Sequence, residues 1–200
     1  MIIVGLTGGI ASGKTTISNF LKKKRFPVHD SDAIVKKIYS NPTPSFFKYI
    51  KSINLLNSIK GKKINKNIIR EEIFNKQDKK RKLEKFIHNE VRKSRNQFLN
   101  KHKRKKTKIV ILNTPLLFEA KLQDICDYVI LLYLPKKNKI QRTLARKGMT
   151  KDMLLKIIKN QKSDTYKKKK ADFIINTSKP KHHSFKMILE AIGNIVGQNA

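Results

Sequence analysis

The sequence predicts an α/β fold. Three observations carry that prediction: five short apolar runs alternate with amphipathic segments, a glycine-rich turn joins the first run to the first amphipathic segment, and a long middle stretch has helical spacing with no convincing strand.

The first run, Ile2, Ile3, Val4 and Leu6, reads as a buried strand, and Thr16-Ile17-Ser18-Asn19-Phe20-Leu21 opens an amphipathic helix. Between them, Gly8 to Thr15 matches G-x-x-x-x-G-K-[ST]. Glycines let the backbone fold around an anion with its N–H groups pointing inward, so Gly8, Gly9, Ile10, Ala11, Ser12, Gly13, Lys14, Thr15 and Thr16 form a phosphate cradle. Lys14 reaches the β- and γ-phosphates, the Thr15 hydroxyl holds a magnesium ion, and the helix dipole adds to the anion site. A plain turn without a ligand is the bland alternative; strand, motif and helix standing in order argue against it.

Arg25-Phe26-Pro27-Val28-His29 reads as a second strand, followed by Asp30-Ser31-Asp32. The chain has only 14 carboxylates, and these two are the only ones before Glu71. An acid at the carboxyl end of a strand beside a phosphate loop is placed to take a proton from an attacking hydroxyl. In an extended chain Asp30 and Asp32 point to opposite sides, so one faces the site. Ser31 or Asp32 also suits the N-cap of a helix from Ala33 to Tyr39.

From 41 to 106 the chain reads as a helical insertion. Pro42 and Pro44 break it, Ser45 starts a helix through Leu56, Lys60-Gly61-Lys62 marks a turn, and Ile68 to Phe74 and Asp78 to about His102 are helical. Such insertions commonly carry the acceptor site of small kinases. Asn75-Lys76-Gln77-Asp78 copies a guanine-reading tetrapeptide, but no D-x-x-G precedes it, so a helix break capped by Asp78 is expected. Lys108 to Leu112 is the third strand and leads into Asn113-Thr114-Pro115-Leu116-Leu117-Phe118-Glu119. Asn113 and Thr114 lack the charge of the acid that ends this strand in many P-loop enzymes, which leaves magnesium to water, Thr15 and Asp32. Tyr128 to Leu134 is an uninterrupted apolar strand ended by Pro135. A helix from Lys136 to Lys147 places Arg142 and Arg146 four apart on one face, either a clamp on the transferring phosphate or a solvated basic face. Gly148 stops it, and Thr150 caps a helix from Lys151 to Gln161 that runs into a polar segment, Lys162 to Lys170; together they suit a mobile lid. Asp172 to Thr177 is the fifth strand, Lys181 to Val196 the last helix, and 197–200 a frayed tail.

Composition sets the bounds. Two hundred residues suit one domain with a smaller appended one. No stretch has the roughly 18 consecutive apolar residues of a membrane helix, the first residues read as a strand instead of a signal peptide, and a lone Cys126 excludes an internal disulfide framework. A cytoplasmic location is expected. The net charge of +33 points to a nucleic-acid binder. Against that, only eight of the 47 basic residues are arginine, and the lysine runs are spread along the whole chain, as codon drift toward A and T would leave them. Solvated surface, with non-specific attraction to polyanions at low salt, is the expectation. A nucleic-acid-binding NTPase is the competing reading.

In order, the landmarks resemble the dephospho-CoA kinase family: Leu6 to Thr16, Asp30-Ser31-Asp32, Ile69-Arg70-Glu71-Glu72-Ile73-Phe74, His88, Pro115 to Glu119, Gln141-Arg142 with Arg146, Gln161, Lys167, and Ala171-Asp172 through Ile175. The resemblance implies a P-loop kinase-like α/β fold, with a five-stranded parallel sheet flanked by helices, a helical CoA-binding insertion and a helical lid. It implies a nucleotide-binding core at 1–40 and 107–200, with the lid at about 140–170, and an acceptor domain at 41–106. Apart from the resemblance, no specific nucleic-acid partner and no membrane partner are expected, and the oligomeric state is left open with a monomer favoured. The resemblance implies transfer of the ATP γ-phosphate, with magnesium, to the ribose 3′-hydroxyl of dephospho-CoA. Asp32 would be the base, Lys14 and Arg142 would stabilise phosphate charge, Arg142 and Arg146 would hold the nucleotide, and Arg70, His88 and Pro115 would bind the acceptor. Ala11 stands where the family usually has glycine, Asn89 follows His88 where proline is common, and Asn176 to Lys179 match the family's turn only in part.

Overall fold

In a computed structural model, which describes residues 1–74 and 76–199, the chain divides into two compact units, Met1–Asp30 with His102–Ala200, and Ser31–Lys101. Asn75, the first residue of the guanine-motif look-alike, and Ala200, the end of the expected frayed tail, lie outside the described residues. The strands are β1 (Ile2–Gly8), β2 (Val28–Asp30), β3 (Ile59–Lys60), β4 (Lys63–Ile64), β5 (Ile109–Asn113), β6 (Tyr128–Tyr133) and β7 (Phe173–Asn176). The helices are α1 (Lys14–Lys23), α2 (Ser31–Ser40), α3 (Pro44–Ser52), α4 (Lys66–Phe74), α5 (Gln77–Arg104), α6 (Lys136–Leu144), α7 (Lys151–Lys159), α8 (Asp164–Lys170) and α9 (Lys181–Gly197). No helix among the described residues is long and apolar enough to cross a membrane.

The first unit is built on β1. It pairs in parallel with β5 on one side and β6 on the other, giving a five-stranded sheet in the order β2-β5-β1-β6-β7. The strands are apolar on both faces because both are covered. On one face Val4, Leu6, Ile109, Ile111, Ile130 and Leu132 pack against Ile17 and Leu21 of α1 and Ile188, Ile192 and Ile195 of α9. On the other, Leu117, Phe118 and Val129 form a smaller cluster. Gly5 belongs to that second face: a methyl group there would lie 2.6 Å from Leu117 Cδ1 and 2.9 Å from Cys126 Sγ. All five strands therefore end at the same edge, where β1, β2 and β5 release Gly8, Asp30 and Asn113.

The second unit is helical around Phe46, Ile50, Leu55, Ile69, Leu83 and Ile87. Val35, Ile38 and Tyr39 of α2 pack on this cluster, so the unit begins at residue 31 and ends at 101, in place of the expected 41 and 106. Tyr39 meets Phe46 edge-on at 5.5 Å, and Phe46 stacks on Phe86 at 5.3 Å. Burial, together with the charge of Glu84, raises the Tyr39 phenol above its ordinary pKa. The expectation of no strand here is corrected: β3 and β4 form a two-stranded hairpin whose turn holds Gly61 at φ +59°.

Several boundaries differ from the sequence reading, each for a local reason. The second strand starts at Val28 and includes Asp30, because Arg25 adopts φ +64° and breaks the extended run. The helix expected from Ser45 to Leu56 is α3, which starts at Pro44 and ends at Ser52, capped by Thr43, whose hydroxyl accepts from the Phe46 N–H. Asp78 lies inside the first turn of α5 instead of capping it. The polar segment 162–170 is largely α8, capped by the Ser163 hydroxyl accepting from Tyr166 N–H.

Replacing Phe46 by Ala empties the centre of the helical unit, where the side chain is 1% exposed. The expected loss is about 3–5 kcal/mol, measured by urea unfolding followed by circular dichroism; a loss under about 1 kcal/mol would contradict this packing.

Candidate active site

The glycine-rich turn leaves β1 with no room to spare. A methyl group on Gly8 would lie 2.5 Å from both the Leu132 carbonyl oxygen and Ser12 Oγ. Ser12 is buried, with no hydrogen-bond partner at its hydroxyl. The turn passes through Ala11 at φ +60° and Gly13 at φ +81°, and Gly13 is the N-cap of α1. Lys14 is the first residue of that helix, and its ammonium donates to the carbonyls of Gly8 at 2.7 Å and Gly9 at 3.0 Å, spanning the turn. Thr15 and Thr16 stand exposed on the first turn of α1. The glycine-rich backbone of the turn, a helix N-terminus and an ammonium thus converge, which is what a phosphate requires.

Beside this turn lies Asp30. Its carboxylate accepts from Asn113 Nδ2 at 2.9 Å and Ser18 Oγ at 3.2 Å, with Lys22 Nζ 4.0 Å away. Asn113, which cannot itself bring a charge, holds one on the neighbouring strand, opposite it in register. The alternation argument for Asp30 and Asp32 does not apply: the chain turns helical at Ser31, and Asp32 is exposed in the first turn of α2. Pro115 follows β5 and accepts from Thr7 Oγ1 at 3.3 Å, while Thr114 N–H donates to Leu6, so both lie against the end of β1. Among the described residues no group of three or more His, Cys, Asp or Glu could hold a metal. Where the sequence reading pairs Thr15 with Asp32, the acid beside the turn is Asp30; the Thr15 hydroxyl and the Asp30 carboxylate are oxygen donors of the kind magnesium takes when it keeps waters and phosphate oxygens as its other ligands.

Arg142 is exposed in the last turn of α6. The shared face expected for Arg142 and Arg146 does not form, because α6 ends at Leu144 and Arg146 sits in the following turn, donating its N–H to the Thr143 carbonyl. Arg70 on α4 and His88 on α5 are exposed residues of the helical unit. Two residues with no role in the sequence reading line the turn. Lys139 of α6 is 8% exposed, pairs with Asp164 Oδ2 at 2.7 Å, and its Nζ lies 3.3 Å from where a methyl group on Gly9 would be. Gln161 Oε1 lies 3.5 Å from the same point. The only trace of Lys139 in the sequence is its place three residues before Arg142. Glu119 accepts from the Lys162 N–H at 2.7 Å and pairs with Lys167 at 3.0 Å. Lys167 is therefore buried, against the expectation of a solvated run.

The family model for dephospho-CoA kinase matches residues 2–182. A dephospho-CoA kinase of Bartonella henselae is 32% identical over 98% of this chain and 99% of its own length. One from Fusobacterium nucleatum is 33% identical, over 94% and 95%. Among solved structures, the dephospho-CoA kinase from Campylobacter jejuni is 26% identical, with a TM-score of 0.73 and coverage of 99% of this chain and 98% of that one.

The left-handed conformation of Ala11 costs roughly 1–2 kcal/mol, partly offset by the freedom a glycine would lose on folding. Ala11→Gly is expected to raise stability by about 0.5–1 kcal/mol, read from the urea midpoint. A fall in the midpoint would show that this turn carries no strain.

Proposed function

The chain belongs to the dephospho-CoA kinase family, and from that premise we propose how its residues divide the transfer of the ATP γ-phosphate to the ribose 3′-hydroxyl of dephospho-CoA. The family match over residues 2–182 carries the reading, and the phosphate turn at the end of the central strand supports it.

The backbone N–H groups of Gly8 to Thr16 hold the triphosphate, and Lys14 exchanges its two carbonyl partners for phosphate oxygens. Magnesium, when bound, neutralises charge on the β- and γ-phosphates, and Thr15 and Asp30 would hold it. Asp32 accepts the 3′-hydroxyl proton as that oxygen attacks the γ-phosphorus, and the bond to the β–γ bridging oxygen breaks to release ADP. Arg142 stabilises charge on the transferring group, and Arg146 holds the nucleotide beside it. Arg70, His88 and Pro115 bind the acceptor. The segment at about 140–170, rooted on the core by Glu119, closes over the nucleotide and excludes water. The enzyme is a cytoplasmic monomer whose surplus lysine is solvated surface.

The extreme positive charge supports the competing reading, a nucleic-acid-stimulated NTPase. One assay separates the two. With ATP and magnesium, ADP release is expected to depend on dephospho-CoA, with phosphate appearing at the 3′ position and with activity lost in Lys14→Ala. Hydrolysis that needs RNA or DNA and yields no 3′-phosphorylated product would overturn the kinase reading.

For Asp32→Asn, kcat is expected to fall about a hundredfold or more, while ATP binding changes by no more than about threefold. Equal losses in turnover and in ATP binding would make Asp32 a structural residue.

A further inference from the structure

Among the described residues two lysines are buried, Lys139 and Lys167. An ammonium leaves water only at a cost, so each calls for a reason. Lys167 has one in Glu119, which ties it and the Lys162 N–H to the core. Lys139 is held differently. Its partner Asp164 has a side chain 35% exposed, and the pair lies beside Gly9, the residue whose carbonyl Lys14 already occupies. Two ammonium groups therefore converge on the Gly8–Gly9 end of the phosphate turn, one from α1 and one from α6.

An ion pair that served only to fasten α8 to α6 would have no reason to meet the phosphate turn. A carboxylate at this place would repel a triphosphate unless an ammonium accompanied it. The Asp164 end of α8 is also not what secures the segment, since Glu119 holds Lys162 and Lys167 independently of it.

We propose that Lys139 is a second phosphate-binding lysine of this site, which exchanges Asp164 for phosphate oxygens of the bound nucleoside triphosphate. Asp164 is its partner when no anion is present. The inference rests on the reading of Gly8 to Thr16 as the triphosphate cradle.

The test is calorimetric titration of the full chain with ATP and magnesium, alongside the thermal midpoint without nucleotide. Lys139→Met is expected to weaken ATP binding about tenfold, and Lys139→Arg to restore part of it. Asp164→Asn, which frees the ammonium, is expected to leave binding unchanged or tighten it. Lys139→Met leaves Asp164 without its cation; should that variant be too unstable to titrate, the double variant Lys139→Met with Asp164→Asn decides, and a tenfold loss is expected there too. Binding by the double variant within twofold of wild type would overturn the proposal. So would an equal weakening in Asp164→Asn and Lys139→Met, which marks a purely structural pair. Wild-type protein that binds no ATP overturns the cradle reading and the inference with it, whereas wild-type binding that ignores the loss of Lys139 overturns the inference alone.

Discussion

No side chain fits at Gly8. The Leu132 carbonyl of the neighbouring strand and the Ser12 hydroxyl from the turn would each lie 2.5 Å from a Cβ placed there, and much of the site depends on that closeness. Because β1 runs flush against β6 to its last residue, the chain leaves the sheet at its centre and must reverse within a few residues. The left-handed steps at Ala11 and Gly13 accomplish the reversal, and α1 starts at Lys14 with its N-terminus at the turn. The position of the Lys14 ammonium over Gly8 and Gly9 follows from that start. The buried flank of Val4 and Leu6 against α1 and α9 fixes the strand from behind.

In a chain with a net charge of +33, the scarce carboxylates are used as fasteners. Asp127, just ahead of β6, accepts from the Ile3 N–H of β1 at 2.7 Å. Asp172, just ahead of β7, accepts from the Val129 N–H of β6 at 2.7 Å. Each acid at the start of one strand thus closes the open end of the strand beside it, with a charge-assisted bond of the stronger kind. At the opposite edge Asp30 joins α1 to β5, and Glu119 and Asp164 take the buried lysines. Exposed lysines make up the remaining charge, and isolated surface charges contribute little to stability.

How far the sequence could be read depended on whether the deciding forces were local. Strand, turn and helix at the N-terminus were legible because hydrophobic period, glycine spacing and the following amphipathic run all act within a few residues. Where neighbours distant in sequence decide, reading failed. The start of the helical unit at Ser31 depends on α2 side chains packing on Phe46 and its neighbours, Leu83 and Ile87 among them. Local turns also mislead the periodic reading: α6 stops at Leu144, so Arg146 falls in the turn that follows. The left-handed Arg25, a single residue, was enough to shift the second strand.

By itself the sequence determined the alternation of strands and helices, the phosphate turn with Lys14 and Thr15, and the family to which the chain belongs, since these rest on residue type at fixed spacing. Only the tertiary structure decided the strand order, the anchoring of Asp30 by Asn113, and which of 39 lysines matter at the turn. Lys139 is one lysine among many until burial and a 2.7 Å partner single it out. The reason is physical: a lysine's charge is the same everywhere in a sequence, and only the folded chain removes the water that otherwise screens it.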